Sequence, residues 1–282
     1  MTQSKEMTER TDQTRSIPQF PQEKNFWEWI RKPKNRDRII SIFSPLLLLA
    51  LWEALVRLHL VNAIFFPPPS AIAGKFADMT LSGVIFGHIK ISLLRVFGGF
   101  LMGSIPGLLI GLTMGLFPLI RAALDPMVAA IYPIPKLALL PLIMIMFGVG
   151  EISKLVTIAL GCFFLVLINT VAGVINIDKI YLDVAKNYGA SRKDFYLTIA
   201  LPGALPLIVT GMKLGMGVAL LLIVAAEMIN AQEGIGYIIW TSYQIFDLEQ
   251  MFVGLILMAF FGYFFTMSLN ELERIIVPWK HD

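Results

Sequence analysis

Four ionisable side chains, Glu53, Lys136, Lys213 and Glu227, interrupt long apolar runs of this sequence and are the first places to look for chemistry. A charge at the centre of a lipid-facing helix costs about 2.5–3.5 kcal/mol, so such groups turn toward a cavity or a partner. Lys136 lies in "YPIPKLALLP", where Pro133, Pro135 and Pro141 break regular helix and free carbonyls that must line protein or water. A lysine there suits the path of an anion and equally a structural contact. Lys213, about two to three turns into its run, has two readings, direct substrate contact or a stem that snorkels or pairs with a neighbouring helix. Glu53 and Glu227 would repel an anion, so each is expected to be structural or to act in gating. Met144 belongs to the methionine-rich "LIMIMFG", which suits packing or an adaptable gate lining better than a metal site. The substrate-path or gate set is therefore Lys136, Pro135, Met144, Lys213 and Glu227.

Enzymatic chemistry finds little support. An intramembrane hydrolase needs a nucleophile and a base on neighbouring spans, but His59, His88 and His281 fall at or beyond the ends of the apolar runs and no H-E-x-x-H occurs. No G-x-x-x-x-G-K-[ST] loop occurs either; the nearest fragment, "AGKF" at 73–76, lacks the first glycine and the hydroxyl residue. The chain is therefore expected to bind no cofactor or metal of its own and to have no catalytic residue. Its single cysteine, Cys162, lies in "GCFFLVLI" and reads as a small buried hydrophobe. A net charge of +3, without basic clusters set among aromatics, gives no nucleic-acid surface.

The elements that position these residues are membrane spans. Of the 282 residues, 56% are hydrophobic and only 15% charged, with a mean hydropathy of +0.72, which excludes an ordinary soluble domain. A span needs about 20 mostly apolar residues, and six windows qualify, near 39–58, 93–117, 127–147, 153–175, 204–228 and 251–272. Residues 1–38 form a polar tail ending in "RKPKNRDR", too poor in apolar side chains to pack and expected to be partly disordered, with "NFWEWIRK" as a possible surface helix. With the amino terminus inside, sixteen lysines and arginines face the cytoplasm against five outside (Arg57, Lys75, Lys90, Arg95, Lys154). Both termini are thus expected in the cytoplasm.

In the second window, Gly99, Gly103, Gly107, Gly111 and Gly115 recur at every fourth residue, a stripe that lets another backbone approach closely. It serves packing within the chain, a subunit interface or a moving gate. Pro106 in the same run removes a backbone donor and is expected to bend the helix.

Between the fourth and fifth windows lies a polar island, "DVAKNYGASRKDFYLTIALP", residues 183–202. Asp178 is placed to cap a short helix that Gly189 ends in a left-handed turn. Ser191, with Asp194 three residues on, is placed to cap a second short helix whose end Pro202 marks. Apolar Ile180, Val184, Phe195, Leu197 and Ile199 exceed what a connector needs, and the island is suited to seat in a groove of another protein. This stretch resembles the EAA loop of bacterial ABC importer permeases, an acidic-Ala-Ala start, a glycine four residues after the last alanine and a closing I-x-L-P. It matches at Asp183, Ala185, Gly189, Ile199, Leu201 and Pro202, and departs with Asp183 for glutamate and Val184 for alanine. "FPPPSAI", "DPMVAAIYPIPKLALLPLIMIMFGVGEISK" and "LIVTGMKLGMGVALLLIVAAEMI" are similar to the permeases for sulfonates, taurine, nitrate and related anions.

The resemblance covers nearly all of residues 40–275 and implies an all-α permease of the type I importer fold with six transmembrane helices. Its domains are the tail, 1–38, and a permease domain, 39–282, with the coupling loop at 178–202. It implies that the loop is a coupling helix seated on the ATPase subunit through Asp183, Ala185, Gly189, Ala190, Ser191, Leu201 and Pro202. Two such ATPases, carrying ATP and Mg, an external solute-binding protein and a second permease, a homodimer by preference, complete the assembly in a bacterial inner membrane. The cargo it implies is a small anion, sulfonate or taurine first, then nitrate, bicarbonate or a pyrimidine precursor. The alternative is a self-sufficient secondary transporter driven by an ion gradient, which the broken helices around Pro106 and Pro133 allow.

Overall fold

The computed structural model describes residues 33–191 and 194–279, and all regular structure among them is helical. The expected surface helix at "NFWEWIRK" and the tail before it lie outside the described residues. In chain order the helices are α1 (Pro33–Arg57), α2 (Pro69–Leu81), α3 (Val84–Leu116), α4 (Pro118–Ile131), a 3-10 turn (Lys136–Leu139), α5 (Leu140–Phe147), α6 (Glu151–Ile175) and α7 (Lys179–Asn187). A π-helical segment (Phe195–Ala200) then runs into α8 (Leu201–Asn230), followed by α9 (Ile235–Gln244) and α10 (Leu248–Ile276).

Four described elements are long and apolar enough to cross a membrane: α3, α6, the continuous Phe195–Asn230 and α10. A fifth is formed by α4 with the 136–147 segment if that pair, bent by 85°, is one span. The break that Pro133, Pro135 and Pro141 were expected to impose on the 127–147 window is present, and its first half starts earlier than that window, at Pro118. Pro133 and Pro135 supply no amide donors between its halves, and the bend follows. The α1 helix covers the first expected window but begins at Pro33, so the end of the basic cluster is already helical. The second expected window begins too late, because α3 starts at Val84 and takes in His88 and Arg95.

The core is a three-helix sandwich, with α6 between α3 and α8 and these two pairs sharing the most extensive contacts. Here the glycine stripe settles into packing within the chain. A Cβ built on Gly99 would stand 2.6 Å from the Ile158 Cβ, one on Gly107 2.7 Å from the Phe163 carbonyl oxygen, and one on Gly111 2.7 Å from the Thr170 Cβ. Along that edge α3 and α6 touch backbone to backbone, and α3 continues as helix through Pro106. On the other side of α6, Gly161 faces Leu222 and Gly173 faces Ala204 of α8. Val96, Phe100, Ile158, Cys162, Ile223 and Phe265 close the centre. Outward, α1 exposes Leu46, Leu47 and Leu48 and α10 exposes Phe260 and Phe264, as lipid-facing surfaces require.

Candidate functional site

The 178–202 island is built as its residue types require, with one exception. Asp178 Oδ1 accepts from the Ile180 amide at 3.0 Å and caps α7. At the other end Gly189 has φ +65, and the Tyr188 amide donates to Val184 O at 3.0 Å while the Ala190 amide donates to Ala185 O at 2.9 Å. This is a Schellman-type ending. A Cβ at Gly189 would meet nothing within 4 Å, so the glycine serves backbone conformation and not space. The Ser191 hydroxyl accepts from the Asp194 amide at 3.2 Å and lies 2.5 Å from the Asp194 carboxylate.

The exception is Pro202, which does not end a second short helix. Phe195–Ala200 winds as π-helix straight into α8, the Leu201 amide reaching back to Tyr196 O. Pro202 sits in the first turn of α8, and the wider winding before it absorbs the missing donor.

Buried Ala200 and Ala204 pack with Val174 and Ile177 and root the island in the bundle, and Ala185 is itself buried. Asp183, Gly189, Ala190 and Ser191 are exposed, and Leu201 and Pro202 are half-buried. On α7 Ile180, Tyr181 and Val184 are exposed, and so is Tyr188 just after it, at 87%. A groove lined by Ile177, Asp178, Tyr181, Pro202, Pro206 and Trp279 runs beside it.

The four intramembrane charges, Lys136 and Lys213 and Glu227 of the expected path or gate set and Glu53 of the expected structural or gating pair, are held by four separate sets of partners. Lys136 Nζ donates to Ile131 O, Tyr132 O and Ile134 O at 3.0, 3.1 and 2.9 Å and lies 4.6 Å from the Phe164 ring centroid. It thus satisfies the carbonyls freed where the span breaks, beside exposed Pro135 and half-buried Met144. Lys213 forms an ion pair with Glu273 of α10, the helix-pairing contact weighed above. Glu53 accepts from Arg57 at 2.6 Å and from the Ser70 hydroxyl and amide at 2.7 and 3.0 Å, fastening the end of α1 to the start of α2.

Glu227 anchors the densest charge cluster, most of which charge counting missed. Its fully buried carboxylate accepts from Arg95 Nη1 at 2.8 Å, from the Ser92 hydroxyl at 2.8 Å and from the Gly236 amide at 2.9 Å. Arg95 Nη1 also donates to Glu233 O at 2.6 Å, and its Nε and Nη2 each donate to Glu151 at 2.6 Å. Lys154 Nζ donates to the same Glu151 at 3.0 Å. Both cations, counted on the outer side in the charge balance, are buried: only 5% of Arg95 and 3% of Lys154 is exposed. The signal lay in the register: Arg95 stands four residues before Gly99, in line with the glycine stripe, on the face α3 buries. A cleft of about 500 Å³ opens here, bordered by Arg95, Gly150, Glu151, Lys154, Asn230 and Glu233.

The chain that builds this helical membrane bundle is similar to known proteins over most of its length. Residues 107–281 match the family described as "Binding-protein-dependent transport system inner membrane component". The chain belongs to that family. The taurine transport system permease protein of Escherichia coli (strain K12) is 33% identical over 258 residues, 90% of this chain and 93% of that protein. A putative aliphatic sulfonates transport permease protein of Bacillus subtilis (strain 168) is 34% identical over 257 residues, 90% and 93% of the two chains. The nitrate import permease protein of Leptolyngbya laminosa is 33% identical over 194 residues, 69% of this chain and 70% of that one. In fold, the chain is similar to a structure of the inward-facing MetNI methionine ABC transporter, with TM-score 0.54, 17% identity and coverage of 71% of this chain and 98% of that one.

Family membership makes the chain a permease subunit of an ABC importer, a multi-pass inner-membrane protein that works with ATPase and binding-protein partners and is not itself an enzyme. The secondary-transporter alternative falls with that assignment.

Proposed function

We propose that this permease carries a small organic sulfonate, taurine or an alkanesulfonate, into the cell, with nitrate, bicarbonate or a pyrimidine precursor as the next choices. The observation that carries this reading is the near end-to-end similarity to a taurine and to an aliphatic-sulfonate permease, each matched over 93% of its own length. In the working assembly two copies of this chain pair with two ATPase subunits, which hold ATP and Mg, and receive cargo from an external binding protein. This chain contributes no cofactor site. Six spans, α1, α3, the broken α4–α5 pair, α6, α8 and α10, make up a permease domain at 39–282, with the 1–38 tail and the carboxyl end in the cytoplasm.

The coupling contact is the island. Asp183, Ala185, Gly189, Ala190, Ser191, Leu201 and Pro202 shape it, and the exposed Ile180, Val184 and Tyr188 supply an apolar ridge for a groove on the ATPase. Closure of the two ATPase halves then moves the spans between inward-open and outward-open states. Along the path, Lys136 holds the broken helix formed around Pro135 and Met144 in shape, Lys213 ties α8 to α10, and Glu227 serves as part of a gate rather than as an anion contact. The deciding experiment is gentle detergent extraction of the tagged chain, identification of what accompanies it, and assay of ATP hydrolysis with a sulfonate-loaded binding protein. Recovery of a P-loop ATPase that is lost when 183–202 is altered, with hydrolysis stimulated by sulfonate, is the expected result. Stimulation by an unrelated solute and not by sulfonates would overturn the cargo.

A further inference from the structure

The cluster at the end of the bundle remote from the island has two faces. Toward the interior, Arg95 Nη1 is fixed by Glu227 and by the Glu233 carbonyl, at 2.8 and 2.6 Å. Toward the cleft, the other edge of the same guanidinium, Nε and Nη2, and the Lys154 ammonium all converge on one carboxylate, that of Glu151, at 2.6, 2.6 and 3.0 Å. The three donors sit on buried side chains, 6% exposed for Arg95 and 3% for Lys154, whereas the Glu151 side chain is 53% exposed. The cations are therefore built in and the anion is not. Glu151 is the first residue of α6, where its side chain can swing into solvent without disturbing the helix.

We propose that Arg95 and Lys154 form an exchangeable oxyanion site on the cleft, which the chain's own Glu151 carboxylate fills until a small monoanion of the sulfonate or carboxylate class displaces it. A guanidinium edge presents two parallel N–H donors at the spacing of two oxygens on one centre. A sulfonate can place two oxygens on that edge and its third on the Lys154 ammonium. Charge argues for a monoanion. With Glu151 in place, two cations face two carboxylates; with Glu151 swung out, one net positive charge stays buried, and a single negative charge restores balance. Arg95 keeps its place through the exchange because its inner edge remains held by Glu227. Glu233, whose side chain is exposed, contributes its carbonyl. The volume of about 500 Å³ beside the donors admits an anion of a few heavy atoms with its waters.

The choice of a sulfonate rests on the proposed cargo, while the site itself is tested apart from it. Binding of labelled ethanesulfonate to the purified full chain in detergent, without any binding protein and against chloride at equal ionic strength, reads the site directly. Glu151→Gln removes the competing charge and keeps the shape, so ethanesulfonate is expected to bind at least tenfold tighter than to the native chain. Adding Lys154→Gln to that variant is expected to cost at least tenfold. A merely structural network predicts the opposite sign, lower thermal stability with no gain in anion binding. Equal or weaker binding in Glu151→Gln overturns the proposal. Should that variant not fold, Glu151→Asp draws the carboxylate back from the cations and is expected to shift binding in the same direction. In the native chain, ethanesulfonate must raise the melting temperature more than chloride does, and equal effects overturn the site. A complex whose ATPase responds only to an unrelated solute, yet whose permease binds ethanesulfonate in this manner, retains the site and loses the proposed cargo; the reverse pair of results loses the site alone.

Discussion

The seam between α3 and α6 can be tested at one atom. A methyl placed on Gly107 by substitution with alanine would stand 2.7 Å from the Phe163 carbonyl oxygen, short by about 0.7 Å of the 3.4 Å at which ordinary contact begins. The obstacle is backbone, which cannot rotate aside as a side chain would, so α3 and α6 must separate locally. Overpacking of this kind costs about 1–3 kcal/mol, opposed by the gain of about 0.5–1 kcal/mol that alanine brings over glycine in a helix. Gly87 on the same helix provides the reference, because a Cβ there would meet nothing within 4 Å and only the helical gain remains. The two variants should therefore differ by the overpacking alone, about 1–3 kcal/mol, or roughly 2–12 °C at about 2–4 °C per kcal/mol. Cys162 supplies the assay. It is the only cysteine, it is buried in this core with its Sγ 3.3 Å from Gly215 O, and a thiol-reactive dye registers it only on unfolding. If Gly107→Ala melts at or above Gly87→Ala, the backbone seam is not as close as described and the packing argument fails.

Other perturbations separate structural from transport roles. Gly189→Val forces a β-branched residue to φ +65, and is expected to leave membrane insertion intact while abolishing transport-coupled ATP hydrolysis; normal coupling in proteoliposomes would count against the docking role of the turn. Glu227→Gln leaves Arg95 buried with one carboxylate fewer, at an expected cost of about 3–5 kcal/mol in thermal stability, checked by the same dye. Lys213→Met and Glu273→Gln, alone and together, should show a coupling of about 0.5–3 kcal/mol in a double-mutant cycle; additive effects on stability alongside lost sulfonate uptake would return Lys213 to the substrate path. Lys136→Met strips an ammonium from three carbonyls at the helix break, and a stability loss of about 1–3 kcal/mol is expected, whereas weakened uptake without a change in melting would favour an anion contact.

Local grammar carried the reading of the island. Asp178, Gly189 and Ser191 act through hydrogen bonds within a few residues, so their types and spacing were enough to place a cap, a left-handed turn and a second cap. Pro202 misled because a proline inside the first turn of a helix and a proline that ends one look alike in sequence, and the π winding of 195–200 leaves no compositional mark. The glycine stripe announced a close approach but not its partner, since the repeat on α3 is silent about the helix that faces it. Arg95, Glu151 and Lys154 were hidden for a related reason. A hydropathy window treats each charge as a reason to end a span, while in the fold Arg95 and Glu227, 132 positions apart, neutralise each other across two helices. The helix α3 accordingly runs through Arg95 and back to Val84.

Phe195–Asn230 is a single helical element of 36 residues, rooted beside the island at one end and carrying Glu227 near the other. At 1.5 Å per residue it is a rod about 54 Å long. A sideways push of about 3 Å at its foot, taken up as rigid-body tilt, turns it by only about 3°, little enough for the packed faces along α6 to pivot without being torn apart. Under the coupling proposed above, the Glu227–Arg95 ion pair and the hydrogen bonds beside it act on this rod as a detent. They hold its head at rest, and release it only when work arriving from the opposite surface exceeds their grip, so the threshold for motion is set far from where the force is applied.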